Sequence, residues 1–219
     1  PAAARLMQNQ VKNLKLFLVH DQTDYGFGLH KLIKQSLSAS RLAGEDSAAR
    51  GTTDYAPILA KIKKSKANAV YYSGYFADAA VFVKALRDSG SKAVFGSGDG
   101  TLDNEFIKLG RKAAEGTLLT APAVPFEAAS SKLAKAFTTS MGQAPGVYTT
   151  ESYDAANFFL AAIKAGNTTR EAINNYISTK SFKGLSKTVK FDKEGEVSGV
   201  DVNGFVIKGG KIVLLGPIK

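Results

Sequence analysis

Cysteine is absent from these 219 residues and histidine occurs only twice. Without cysteine the chain can form no disulfide, no thiolate nucleophile and no Cys-based metal site. The absence suits an oxidising compartment without establishing one, because many cytosolic domains also lack cysteine. Long apolar runs are missing too. Runs such as Leu16 to Val19 and Ala69 to Tyr72 fall far short of the about 20 residues that a membrane-spanning helix needs. No charged-then-apolar leader opens the chain. A start at Pro1-Ala2-Ala3-Ala4 with no Met leads to the expectation that upstream sequence has been lost, so an export signal would not be visible.

Enzyme signatures are equally sparse. His20 and His30 stand apart from any Cys, Glu-x-x-His helix or nucleophile elbow, which speaks against a metal centre or a catalytic triad. The glycines of Gly96-Ser97-Gly98-Asp99-Gly100 are spaced wrongly for a P-loop or a dinucleotide fingerprint, and no Lys-Ser or Lys-Thr follows. Asp192-Lys193-Glu194-Gly195-Glu196 offers oxygen ligands but is too short and too cationic for a calcium loop, and reads as a hairpin turn. The chain is therefore expected to need no NAD, ATP or divalent metal. Asn167-Thr168-Thr169 fits a glycosylation sequon, but Asn167 or Thr168 reads better as a helix cap.

Charge of one sign is in excess, with a net +10. Residues 1–120 hold seventeen basic and eleven acidic groups, and residues 121–219 hold twelve and eight. An excess spread so evenly is a solvated surface rather than a nucleic-acid footprint.

Hydrophobic residues make up 44% of the chain, enough for a real core. Helical spacing over Pro1 to Asn13 is followed by a strand at Leu14 to Val19, a loop from His20 to Gly28, and a helix carrying Leu29, Leu32, Ile33, Leu37 and Leu42 on one face. Asp54 to Lys66 is a third helix with Thr53 or Asp54 as N-cap, and Ala69 to Ser73 is a second strand. Ala77 to Ser89 is helical with Gly90 just past its end, and Ala93 to Phe95 is a short strand. Alternating strands and helices imply a doubly wound parallel sheet, with its ligand crevice beyond the carboxyl ends of the strands. Tyr25, Tyr75 and Asp99 occupy loops at that edge.

After Leu118-Leu119-Thr120 an extended Ala121-Pro122-Ala123-Val124-Pro125 leads to three helical stretches, Ser130 to Met141, Thr149 to Ala165 and Thr168 to Thr179. Strands close the chain at Thr188 to Phe191, Asp201 to Lys208 and Ile212 to Leu215, with a Gly209-Gly210 turn. The expected layout is an α/β domain over 1–120 with ligand-edge loops, mainly helices of an incomplete lobe over 121–188, and C-terminal strands with a lobe crossing over 189–219. Tyr71 and Tyr72 fit core packing, whereas Tyr75, beside Gly74, serves equally as a ligand contact or a packed ring. Asp99, between two glycines, is either an acid presented to a ligand cation or a plain turn aspartate.

His20-Asp21-Gln22-Thr23-Asp24-Tyr25-Gly26-Phe27-Gly28-Leu29 resembles the strand-to-loop segment that opens the second lobe of leucine/isoleucine/valine-binding proteins, the periplasmic receptors of branched-chain amino-acid ABC importers. Val70-Tyr71-Tyr72-Ser73-Gly74-Tyr75 is similar to the family's Tyr-Tyr-Gly-Gly-Tyr segment. Ala114-Glu115-Gly116-Thr117-Leu118, with Thr120 to Pro122, resembles its Ala-Glu-Gly stretch before a lobe crossing. The likeness continues through Tyr148 to Ala156 and Val189 to Gly199.

The resemblance implies an α/β type I periplasmic-binding-protein fold and a non-catalytic, cofactor-free protein of the periplasm, or lipid-anchored outside the cell. It would capture a branched-chain or similar amino acid, or an analogue, between two lobes for a membrane permease. It places aromatic ligand contacts on Tyr25 and Tyr75, the ammonium-binding acid on Asp99 and a further contact on Tyr153. The family's type protein has Glu where this chain has the shorter Asp99, which leaves the side-chain preference open. The family's carboxylate-binding Ser/Thr segments precede the first residue of this chain, so helices stripped of their partner sheet would leave an apolar face prone to self-association. A ligand-sensing domain of a regulator or receptor with the same architecture is the alternative.

Overall fold

The computed structural model describes residues 2–197 and 201–219. Pro1 of the first predicted helix, and Ser198 and Gly199 at the end of the last resembling segment, lie outside the described residues. In chain order the elements are α1 (Ala2–Gln10), β1 (Leu16–His20), α2 (Asp24–Gln35), β2 (Leu42–Ser47), α3 (Ala56–Ser65), β3 (Ala69–Ser73), α4 (Phe76–Asp88), β4 (Val94–Ser97), α5 (Asn104–Gly110) and β5 (Leu118–Ala121). There follow α6 (Phe126–Ala129), α7 (Ser131–Met141), α8 (Thr149–Lys164), α9 (Arg170–Thr179), β6 (Phe182–Lys183), β7 (Thr188–Val189), β8 (Asn203–Lys208) and β9 (Lys211–Pro217). Pro1–Ala121 together with Val202–Lys219 form one compact unit, and Pro122–Asp201 form a second.

The first unit is built on a seven-stranded sheet in the order β2-β1-β3-β4-β5-β8-β9. Its first five strands are parallel, and the β8–β9 hairpin adds two antiparallel strands at one edge. Successive side chains of a strand point to opposite faces, and here both faces are covered. Leu16, Leu18, Ala69 and Tyr71 meet Leu6 and Met7 of α1 and Ile33 of α2. On the other face Phe82 of α4 packs against Tyr55, Tyr72 and Phe95, and Phe95 stacks on Phe106 of α5, with ring centroids 4.9–6.3 Å apart. Each fully buried phenylalanine stabilises the fold by about 1.5–3 kcal/mol. Strands buried on two sides read as continuous apolar runs, which is why β1 and β3 stand out in the sequence.

Several boundaries depart from the sequence pattern. The segment read as a loop from His20 to Gly28 turns helical at Asp24, because Thr23 caps the helix by accepting the Gly26 amide on its hydroxyl at 3.0 Å. Leu42 does not extend a helix; it begins β2, an edge strand whose Glu45 and Asp46 face Lys34 and Lys61. The N-cap of α3 is Tyr55, not Thr53 or Asp54, although Asp54 accepts the Ala56 amide at 2.9 Å. The fourth strand spans Val94–Ser97 rather than Ala93 to Phe95. Thr169 caps α9, while Asn167 instead donates to Ala162 at the end of α8. Only Thr188 and Val189 of the expected Thr188-to-Phe191 strand pair in a ladder, with Phe191 in an isolated bridge to Val197.

The second unit contains α6 to α9 and the short β6–β7 pair. Phe158 of α8 stacks on Phe182 at 5.0 Å and meets Tyr176 of α9 edge-on at 6.3 Å. Asp154, 2% exposed, accepts the amides of Leu185 and Ser186 at 2.6 and 2.9 Å and the Ser186 hydroxyl at 2.7 Å, fastening the β6–β7 turn to α8. Phe159, Leu160 and Ile163 of α8 are about half exposed. No helix among the described residues is long and apolar enough to cross a membrane.

Candidate functional site

Adjacent parallel strands β1, β3 and β4 end side by side, and the loops that leave them supply three of the four sequence-predicted residues. Tyr25 lies in the first turn of α2, Tyr75 is the N-cap residue of α4, and Asp99 opens a single 3-10 turn after β4. The structure brings these three together. The Tyr25 hydroxyl donates to Asp99 Oδ1 at 2.7 Å and accepts the Gly100 amide at 3.1 Å. The Tyr25 and Tyr75 rings lie 5.2 Å apart in a tilted pair. Burial, and next the charge of Asp99, push the Tyr25 hydroxyl far above the usual phenol range, so it stays a donor to the carboxylate.

Small residues make this approach possible. A Cβ on Gly98 would stand 2.8 Å from the Tyr25 hydroxyl, and one on Gly100 would meet the Gly74 carbonyl at 2.9 Å and the Tyr25 ring at 3.1 Å. The glycines flanking Asp99 thus let the β4 turn close on Tyr25 with the acid beside its hydroxyl. Beneath them the Ser97 hydroxyl donates to the Tyr72 carbonyl at 2.7 Å, and Thr101 donates to the Gly74 carbonyl at 3.2 Å, tying the β3 and β4 loops together. Asp21, 1% exposed, accepts the Thr23 amide at 3.0 Å and its hydroxyl at 2.6 Å, while its Oδ2 has no hydrogen-bond partner among the described residues. It sets the helix start that carries Tyr25.

Sequence reasoning missed Asp21, Ser97, Thr101 and Arg50 as parts of this edge. Asp21 and Thr23 carried a visible signal, an Asp-x-Thr cap directly after a strand. Arg50 carried none, because it follows the unrecognised strand β2. Its guanidinium lies over the Tyr75 ring, 5.3 Å from the centroid. Tyr153 belongs to the second unit, on α8, where its partly exposed ring lies 5.8 Å from that of Phe126. Nearby, Glu151 Oε1 accepts the Val124 amide at 3.0 Å.

Asp99 and the two tyrosines thus lie at the carboxyl edge of a doubly wound sheet, the edge at which open α/β sheets meet their ligands. The chain belongs to the periplasmic binding protein family, whose model matches residues 1–210, and its fold is of type I. The family is one of non-enzymatic solute-binding proteins of transporters, which implies a periplasmic or extracellular location.

Among curated relatives, the Leu/Ile/Val-binding protein homolog 1 of Brucella melitensis is 30% identical over 199 residues, 89% of this chain and 53% of that protein. A leucine binding protein from Thermotoga maritima superposes with a TM-score of 0.85 at 23% identity, covering all of this chain and 64% of that one. A solute binding protein from Rhodopseudomonas palustris in complex with benzoate superposes with a TM-score of 0.84 at 20% identity, covering 99% of this chain and 61% of that one. The chain spans about half the length of the curated relatives it matches.

Proposed function

We propose that the chain forms part of a non-catalytic solute-binding protein that captures an amino acid or close analogue for an ABC importer, with Asp99 receiving the ligand ammonium. One observation carries the reading: Asp99 stands at the carboxyl edge of the sheet, where the Tyr25 hydroxyl donates to its Oδ1 at 2.7 Å beside the Tyr25–Tyr75 ring pair. A carboxylate accepts from several donors at once, and a ligand ammonium is one such donor. Tyr25 and Tyr75 supply an aromatic wall on which an alkyl side chain can rest. Tyr153 is a further candidate ligand contact on the strength of the family resemblance. The names of the Leu/Ile/Val-binding relatives support a neutral branched-chain ligand, while the benzoate-bound neighbour shows that the fold accommodates others.

The test is a thermal-shift panel on the full-length product of the gene encoding this chain. Neutral α-amino acids, acidic α-amino acids and the corresponding 2-oxo acids are compared at equal concentration. A ligand that binds the native state alone raises the midpoint by mass action. The reading expects stabilisation by at least one amino acid and little by its 2-oxo counterpart. Equal stabilisation by both members of every pair contradicts it.

A further inference from the structure

The cationic excess is divided evenly along the chain but not in space. At the end of the sheet opposite the ligand edge, the connections that enter the parallel strands carry exposed cations: Lys12 and Lys15 before β1, Arg41 before β2, Lys66 before β3 and Lys92 before β4. Arg111 and Lys112 precede β5, and Lys208 and Lys211 flank the turn of the β8–β9 hairpin. That turn reaches the same end because β8 runs antiparallel to β5. Glu115 is the one acid in these connections, and the helix residues directly before them add one more, Asp88. None of the cations forms an ion pair among the described residues. The ligand-edge loops after β1 to β4 hold the reverse, Asp21, Asp54, Asp99 and Asp103 against Arg50 alone.

These connections are tied into one surface. Asn68 accepts the Lys15 amide at 2.8 Å and donates to the carbonyls of Lys12 and Asn13, joining the approaches to β1 and β3. Lys15 Nζ donates to the Ser40 carbonyl at 2.8 Å, and Glu115 accepts the Gly209 and Gly210 amides at 2.7 and 3.3 Å. Helix C-termini attract cations, which accounts for Lys63, Lys64 and Arg87 in the last turns of α3 and α4. The β8–β9 turn belongs to no helix, yet it carries Lys208 and Lys211. We infer that this edge is an electrostatic docking surface for the anionic headgroups of a lipid bilayer. Strands stand about 4.8 Å apart, so seven of them spread the charges over about 29 Å, a breadth suited to a surface rather than to a single bound anion. Most of the cations are lysines, point charges that need no fixed geometry from their partner. No aromatic residue occurs in these connections, and their Val11 and Leu14 are buried, so neither base stacking nor the apolar centre of a protein interface is on offer. The extracytoplasmic location that the family implies also sets nucleic acid aside.

Co-sedimentation of the full-length gene product with vesicles tests the inference, using phosphatidylcholine alone and phosphatidylcholine mixed equally with phosphatidylglycerol. At least about tenfold stronger partitioning onto the anionic vesicles is expected at about 0.1 M salt, most of it lost at about 0.5 M, where screening shortens the reach of each charge. Lys92→Gln, Lys112→Gln and Lys208→Gln together lower that partitioning about tenfold or more. The same loss of charge in the second unit, by Lys132→Gln, Lys135→Gln and Lys164→Gln, leaves it nearly unchanged. All six lysines are exposed and form no ion pair among the described residues, so both triple variants keep the fold. Equal partitioning onto the two kinds of vesicle, or an equal reduction by the two triple variants, overturns the proposal. Retention on a polyglutamate matrix without binding to anionic vesicles also overturns it and assigns the face to an acidic protein instead.

Discussion

His20 closes β1 with its ring 5.0 Å from His30 and 5.6 Å from Phe27. Burial first, and then the neighbouring His30, lower its pKa below 6.5, against smaller opposing effects of Asp21, Glu45 and Asp46. Below pH 6.5 the unfolded chain therefore takes up a proton on His20 more readily than the native one, and stability falls as pH drops towards the native pKa. Urea midpoints between pH 7.5 and 5 are expected to decline less steeply in His20→Asn; an unchanged slope would show that His20 does not contribute. At the same scale the candidate site was partly legible. Tyr25, Tyr75 and Asp99 could be found because they follow strongly apolar strands and sit among glycines. Ser97 and Thr101 act through hydrogen bonds to carbonyls brought near by the sheet, which no local pattern announces.

Elements with a strong apolar period, β1, β3 and α4, were legible as elements, whereas β2 and α5 were not. The Leu42-Ala43-Gly44-Glu45-Asp46-Ser47 run of β2 has neither alternation nor an apolar core, because the strand lies at the sheet edge and its acids pair with Lys34 and Lys61. Helix α5 has seven residues, capped by Asp103, which accepts the Glu105 amide at 2.7 Å; it is too short to show a period. Side-chain fastening also governs β6–β7, a two-residue ladder with little pairing of its own. Replacing Asp154 by Ala removes all three of its bonds to Leu185 and Ser186. The expected cost is about 2–4 kcal/mol, given that charged hydrogen bonds are worth about 1.5–3 kcal/mol each and are not additive. Hydrogen exchange should show the Leu185 and Ser186 amides losing protection while those of β1 and β3 keep theirs. Retained protection at Leu185 and Ser186 would contradict the fastening role.

For the molecule as a whole, alternating strands and helices were enough to infer a doubly wound sheet, but the antiparallel β8–β9 edge follows from long-range pairing with β5. Such a contact joins residues some eighty positions apart, beyond any local period. Function was legible to the depth of a family because spaced motifs agreed in order along nearly the whole chain, and the family model matches residues 1–210. The ligand was not legible, since loop side chains at the sheet edge choose it and the fold does not. The central claim is that Asp99 holds the ammonium of an amino acid, and calorimetry of Asp99→Asn against the unsubstituted full-length product tests it most directly. Loss of one charge-assisted hydrogen bond, about 1.5–3 kcal/mol, should weaken the best amino-acid ligand by about ten- to a hundredfold and leave its deaminated analogue almost unaffected. Unchanged affinity for the amino acid would contradict the account.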